Sequence, residues 1–173
     1  SLYVTLLAET HHRLLRHLRK MAFMVEAEDD GSVYYESAFD TLRKDGLDGV
    51  LRFLMRNSKS RKASIIVLDG LFALEETAET ERSFREFIND LSVFADVSGC
   101  TVLLLTNSER GAGSPEFTMV DGWLELNSGE LECRSFRYLR VHKLRGSGFI
   151  AGRHMTRIDQ QGFHVYPRLE AVA

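Results

Sequence analysis

The sequence predicts an α/β fold: a central, mostly parallel sheet with helices around it and antiparallel strands at the C-terminal end. Three observations predict it. The run Ser64-Ile65-Ile66-Val67-Leu68-Asp69 is apolar from its second residue to its fifth, and Thr101-Val102-Leu103-Leu104-Leu105 repeats the pattern. Such runs read as strands covered on both faces, as in parallel sheets. Between them, Phe84, Phe87, Ile88, Leu91, Phe94 and Ala95 form an apolar stripe at helical spacing. Beyond residue 120 the chain turns to strand-like runs with alternating residues, the pattern of an antiparallel meander.

Taken in order, residues 2–7 read as a strand and residues 10–22 as an amphipathic helix carrying Leu14, Leu15, Leu18, Met21 and Ala22 on one stripe. A short strand follows the acidic turn at Glu28-Asp29-Asp30-Gly31. Leu47, Val50, Leu51 and Leu54 predict a helix over 46–57, which leads through a polar stretch into the strand at 64–68. The acidic run from Glu75 to Glu81 suits a helix N-terminus, where the helix dipole favours negative charge. That helix runs to about residue 97 and is broken by Ser98-Gly99. After the strand at 101–105, strands are predicted over 120–126 and 134–143, then from Met155 to Ile158 and from Gly162 to Tyr166. All 173 residues read as a single domain.

Composition narrows the classes. Hydrophobic residues make up 44% and charged residues 27%, with a net charge of −3, so nothing global calls for nucleic acid or an acidic membrane. No apolar run approaches the roughly 20 residues of a membrane helix. Cys100 and Cys133 form no CxxC pair, a usage that fits a reducing, cytoplasmic compartment. The cationic face of residues 13–20 reads as solvated surface, and His11, His12 and His17 as surface histidines without a third metal ligand.

The candidate site follows from topology. Open α/β sheets bind ligands beyond the carboxyl ends of their parallel strands. Three polar tips lie there: Glu9 after the first strand, Asp69 after the second buried run, and Thr106-Asn107 after the next. These residue types suit nucleoside triphosphate hydrolysis. Glu9 would polarise an attacking water, Asp69 would hold Mg²⁺ through a water, and Thr106 or Asn107 would sense the γ-phosphate. Glu9 also fits an ordinary acid in a first helical turn with Thr10 as N-cap, and Asp69 an ordinary turn residue. Further on, Lys143 and Arg145 point the same way from one strand. They suit phosphate, and equally a charged edge strand that resists aggregation.

These residues reach a family. The chain resembles the KaiC-like branch of the RecA-superfamily ATPases over nearly all of its length. The resemblance rests on Tyr3-Val4-Thr5 followed by Ala8-Glu9-Thr10, on Ser64 to Asp69, on Thr101 to Thr106 and on Val120-Asp121-Gly122. Its most specific part is Arg137-Tyr138-Leu139-Arg140-Val141-His142-Lys143-Leu144-Arg145-Gly146-Ser147, followed by Gly162-Phe163-His164-Val165-Tyr166-Pro167. It implies a RecA-like three-layer sandwich that binds ATP with Mg²⁺. Glu9 would be the water-activating glutamate, although Ala8-Glu9 departs from the pair of adjacent acids common in the family. Asp69 would be the Walker B acid. Lys143 and Arg145 would reach the γ-phosphate of ATP in a neighbouring subunit, which implies a head-to-tail ring, a hexamer being one closure.

A phosphate-binding GxxxxGK[ST] loop is not among the 173 residues, and none of Lys20, Lys44, Lys59, Lys62 or Lys143 follows a glycine. The abrupt opening of a strand at Leu2 leads to the expectation of a truncated fragment, with the P-loop upstream. The alternative is a degenerate, non-catalytic oligomerisation or regulatory module. A DNA-binding reading is weaker: residues 109–118, where DNA-gripping RecA relatives place their loops, hold Arg110, Glu109, Glu116 and a single aromatic, Phe117.

Overall fold

The computed structural model describes residues 1–8, 15–16, 18–24, 32–107 and 115–168, with residues 115 and 116 described by their backbone alone. The chain divides into two compact units, Ser1–Lys20 with Met24–Asn107, and Met21–Phe23 with Ser108–Ala173.

The first unit is built on four parallel strands, β1 (Leu2–Thr5), β2 (Tyr34–Ser37), β3 (Ile65–Asp69) and β4 (Thr101–Leu105), in the order β2-β1-β3-β4. Among the described residues three helices accompany them: α1 (Phe39–Arg61), α2 (Leu71–Thr77) and α3 (Glu81–Ser98). Side chains alternate across a strand, so Leu2, Val4, Ile66 and Leu68 share one face, and all four are fully buried. Val50 and Leu54 of α1, Leu71 and Leu74 of α2 and Phe84, Phe87, Ile88 and Leu91 of α3 complete this core. The opposite face is open by comparison: Ile65 is 39% exposed, Leu103 45% and Leu105 41%. The expected cover on both faces of β3 and β4 is therefore present on one face only among the described residues, because α1 to α3 serve that face.

Helix boundaries differ from expectation for local reasons. Helix α1 starts seven residues before the predicted 46, with a break at Gly46, whose φ of 61° and ψ of −156° only glycine takes without strain. The apolar stripe begins past that break, which is why periodicity found only the second part. Helix α3 opens with a capping box: the Thr80 hydroxyl accepts from the Ser83 N–H at 3.0 Å, and the Ser83 hydroxyl accepts from the Thr80 N–H at 3.2 Å. The acidic run thus does not sit at one helix start. Glu75 and Glu76 close α2, and only Glu81 lies in the first turn of α3. The predicted helix over 10–22 falls largely outside the described residues.

The second unit holds a short helix α4 (Pro115–Met119) and an antiparallel meander of β5 (Gly122–Leu131), β6 (Arg134–Leu144), β7 (Arg153–Asp159) and β8 (Gly162–Tyr166). The antiparallel C-terminal strands are present as expected, hydrogen-bonded as a sheet of their own. Strand β5 continues five residues past the predicted Leu126, through Asn127-Ser128-Gly129-Glu130-Leu131, because each pairs with β6 although the segment lacks an apolar alternation of its own. The register shifts between Trp123 and Leu124, which places His142 in a bulge.

Candidate functional site

Asp69 is the last residue of β3 and stands opposite Thr5 of β1 and Leu105 of β4, so three strand ends are level at this edge of the sheet. The Leu6 N–H donates to the Asp69 carbonyl at 2.9 Å, carrying the pairing one step beyond the strands. Gly70 then turns the chain into α2 with φ 97°, and a Cβ there would lie 2.9 Å from Leu7 Cδ2, so both backbone and space require glycine. The Asp69 carboxylate is half-buried and already oriented. The Tyr3 hydroxyl donates to its Oδ2 at 2.5 Å. Tyr3 and Asp69 lie on the same sheet face, and the Tyr3 ring is tilted against Tyr35 at 5.6 Å between centroids. Burial first, and the Asp69 carboxylate second, push the Tyr3 phenol well above its ordinary pKa, so it stays a donor at any physiological pH.

At the neighbouring tip, the Thr106 hydroxyl oxygen is buried and has no hydrogen-bond partner among the described residues, while Asn107 is exposed. Leaving a buried hydroxyl unbonded costs on the order of 1–3 kcal/mol, so its position calls for a reason. Glu9, the third predicted tip residue, lies outside the described residues, as do His11, His12 and His17. Among the described residues no group of three or more His, Cys, Asp or Glu side chains could hold a metal by itself. Asp69 could hold Mg²⁺ as one carboxylate beside other ligands.

Lys143 and Arg145 both lie in the second unit. The Lys143 ammonium donates to the carbonyls of Phe117 at 3.4 Å, Thr118 at 3.0 Å and Val120 at 2.5 Å, at the C-terminal end of α4. Arg145 Nη1 pairs with Asp121 Oδ1 at 3.2 Å, and its N–H donates to the Asp121 carbonyl at 2.8 Å. Beside them runs an aromatic stack. Phe117 lies 4.2 Å from Trp123, and Trp123 4.0 Å from His142. His142 Nε2 is 2.6 Å from Glu125 Oε2, and that bond, with a second from Asn127, holds the Glu125 carboxyl below its usual pKa.

Sequence reasoning missed Tyr3 and Asp121 as partners of the site residues. Tyr3 needed the register: with Thr5 opposite Asp69, the residue two before it shares the face of Asp69. The structure places Asp69, Thr106 and Asn107 along one sheet edge in the first unit, and Lys143 and Arg145 together in the second.

The strand order, the Asp-tipped β3 and the antiparallel C-terminal sheet narrow the comparison with known proteins. A family model described as "ATPase: KaiC" matches residues 1–170. The chain belongs to the KaiC ATPase family. A UPF0273 protein of Methanopyrus kandleri is 30% identical over 125 residues, covering 70% of this chain and 48% of its own length. A UPF0273 protein of Thermotoga maritima is 28% identical over 127 residues, covering 71% of this chain and 52% of its own length. The chain thus spans about half the length of these two relatives. A KaiC-like protein of Pyrococcus horikoshii has the same fold, with a TM-score of 0.78 at 23% identity over 96% of this chain and 76% of that one.

Proposed function

We propose that this chain carries the hydrolytic edge of an ATP-binding and ATP-hydrolysing KaiC-type domain, both units belonging to that one domain. The observation that carries the reading is the level set of strand tips, with an oriented Asp69 carboxylate next to the buried, unbonded Thr106 hydroxyl. Mg²⁺-bound ATP, when present, supplies the transferable phosphoryl group and a metal that spreads its negative charge. Asp69 would hold a metal-bound water, kept in one orientation by Tyr3. Thr106 and Asn107 would meet the γ-phosphate, which gives the orphaned hydroxyl its partner. Glu9 would take the proton of the attacking water. The cations of the second sheet would serve the site of a neighbouring subunit in a head-to-tail ring. A glycine-rich GxxxxGK[ST] cradle for the β- and γ-phosphates does not occur in these 173 residues. The working protein is a ring-forming signalling ATPase of the cytoplasm.

The test is ATP turnover by the protein as its full gene encodes it. Glu9→Gln and Asp69→Asn each lower kcat at least a hundredfold in this reading, and unchanged turnover in both overturns it. One observation favours a second reading, a non-catalytic oligomerisation module: no GxxxxGK[ST] occurs in the sequence. That reading requires that calorimetry detect no ATP binding even in that protein, and millimolar or tighter affinity with Mg²⁺ sinks it.

A further inference from the structure

One face of the second sheet bears rings and arginines together. The register sets Asn127, Tyr138, Met155 and Tyr166 in a row across the four strands. Residues two away along a strand share its face, so Phe136, Arg140, Arg153 and Arg157 flank that row. Two glycines let rings lie down on the face. A Cβ on Gly129 would meet Phe136 Cζ at 2.7 Å and both its Cε atoms within 3.2 Å. A Cβ on Gly162 would stand 3.4 Å from the ring of Phe23, which belongs to this same unit and is 46% exposed. A ring laid over glycine keeps one side on the backbone and turns the other outward. Tyr166, in the row, is 51% exposed. The Tyr138 ring is covered, because the Arg153 guanidinium lies 4.5 Å above its centroid.

The charges of this face are unequal. Its two acids are engaged within the sheet, Glu125 by His142 and Asn127, and Asp159 by His164, Arg157 and the Gln161 N–H. Arg134, Arg140 and Arg153 are exposed and make no hydrogen-bonded ion pair among the described residues. In a chain of net charge −3, such a cationic surface is local to this face. We propose that it binds single-stranded nucleic acid, with bases stacked on the open rings of Phe23, Phe136 and Tyr166 and on the Arg153 guanidinium plane, and phosphates held by Arg134 and Arg140. An acidic peptide would engage the arginines and leave the flat rings unused. A duplex keeps its base faces inside and offers phosphates alone. The strand tips of the first unit take no part, and no ATP is needed.

The experiment uses this chain without nucleotide and follows the fluorescence anisotropy of labelled oligothymidylate and oligouridylate of about 15 nucleotides. Phe136→Leu keeps an apolar side chain over Gly129 and is expected to weaken binding about tenfold, Tyr166→Ala about fivefold. Arg134→Ala and Arg140→Ala are each expected to weaken it about threefold and to lower the salt slope by about 0.7. A duplex of the same length is expected to bind at least tenfold more weakly. Arg56→Ala, on the exposed side of α1, is expected to change nothing. Tighter binding of the thymidylate or of the uridylate assigns the strand to DNA or to RNA, and equal binding to the chemistry they share; all three support the proposal. Absence of binding, a duplex bound as tightly as a single strand, or affinity unaltered by both Phe136→Leu and Tyr166→Ala overturns it. Tyr166 is half-exposed, so its variant keeps the stacking role testable even if Phe136→Leu does not fold.

Discussion

Tyr3→Phe is the sharpest probe of the site, because it removes one oxygen and nothing else. The ring keeps its place against Tyr35. What is lost is the hydrogen bond from the phenol to Asp69 Oδ2. Hydrogen bonds to charged groups contribute about 1.5–3 kcal/mol, and the half-exposure of Asp69 puts this one near the low end, about 1.5 kcal/mol. For a chain of this length that corresponds to a fall in Tm of about 3–6 °C. The linkage adds a signature. The folded-state pKa of Tyr3 is raised, so its contribution is fully present below about pH 10, the unfolded value, and is lost as pH rises towards the folded value. The wild type should therefore lose stability on the alkaline side faster than Tyr3→Phe, and the two curves should converge there. The assay is urea unfolding from pH 6 to pH 11, with a double-mutant cycle against Asp69→Ala that should give a coupling of about 1 kcal/mol. Equal stability of Tyr3→Phe and wild type at pH 7, with no coupling, would refute the orientation of Asp69 by Tyr3.

Thr106→Val keeps shape and deletes the orphaned hydroxyl, so it should leave stability unchanged or raise it by up to about 1 kcal/mol, whereas a well-bonded threonine would lose stability; thermal melting decides between them. Gly70→Ala forces a side chain into φ 97° and against Leu7, and should cost about 1–3 kcal/mol in chemical denaturation. Phe84→Ala removes a fully buried ring near the N-terminal end of α3 and should cost about 3–5 kcal/mol by the same measurement. Glu125 has a lowered carboxyl pKa through His142, so its contribution is present above roughly pH 4.5, the unfolded range, and lost as pH falls through the folded value. Glu125→Gln should flatten that part of an acid-denaturation curve.

What the sequence disclosed depended on how local the cause was. The strand ending at Asp69 and the stripe of α3 could be read because runs and periods of apolar residues act through their immediate neighbours. The five extra residues of β5 could not, since Asn127 to Leu131 become a strand only by pairing with β6. The first turns of α1 were hidden by Gly46, which breaks the helix where the periodic pattern would have to extend backwards. The tip at Asp69 could be found from one strand alone, but its partner required the register Tyr3 to Val67 and Thr5 to Asp69. Lys143 and Arg145 show the limit most clearly. Spacing gives them one direction and one charge, while burial and the end of α4 give them different surroundings.

A polar group at a strand tip has to be held by something, and the described tips solve this unequally. Asp69 is held by Tyr3, Thr5 accepts from the Leu7 N–H, and Arg145 rests on Asp121. Each of these arrangements satisfies the group without a ligand and still leaves capacity: the second Asp69 oxygen, and the remaining donors of the guanidinium. Among the described tips, Thr106 alone is buried and has no partner among the described residues. A chain under no functional constraint would gain by replacing that hydroxyl with a methyl group. Retaining it where β4 ends, level with Asp69, is understandable if an acceptor or donor arrives there from outside the chain. The β4 tip, more than the Asp-tipped β3, is therefore where the proposed site has a polar group waiting for a partner.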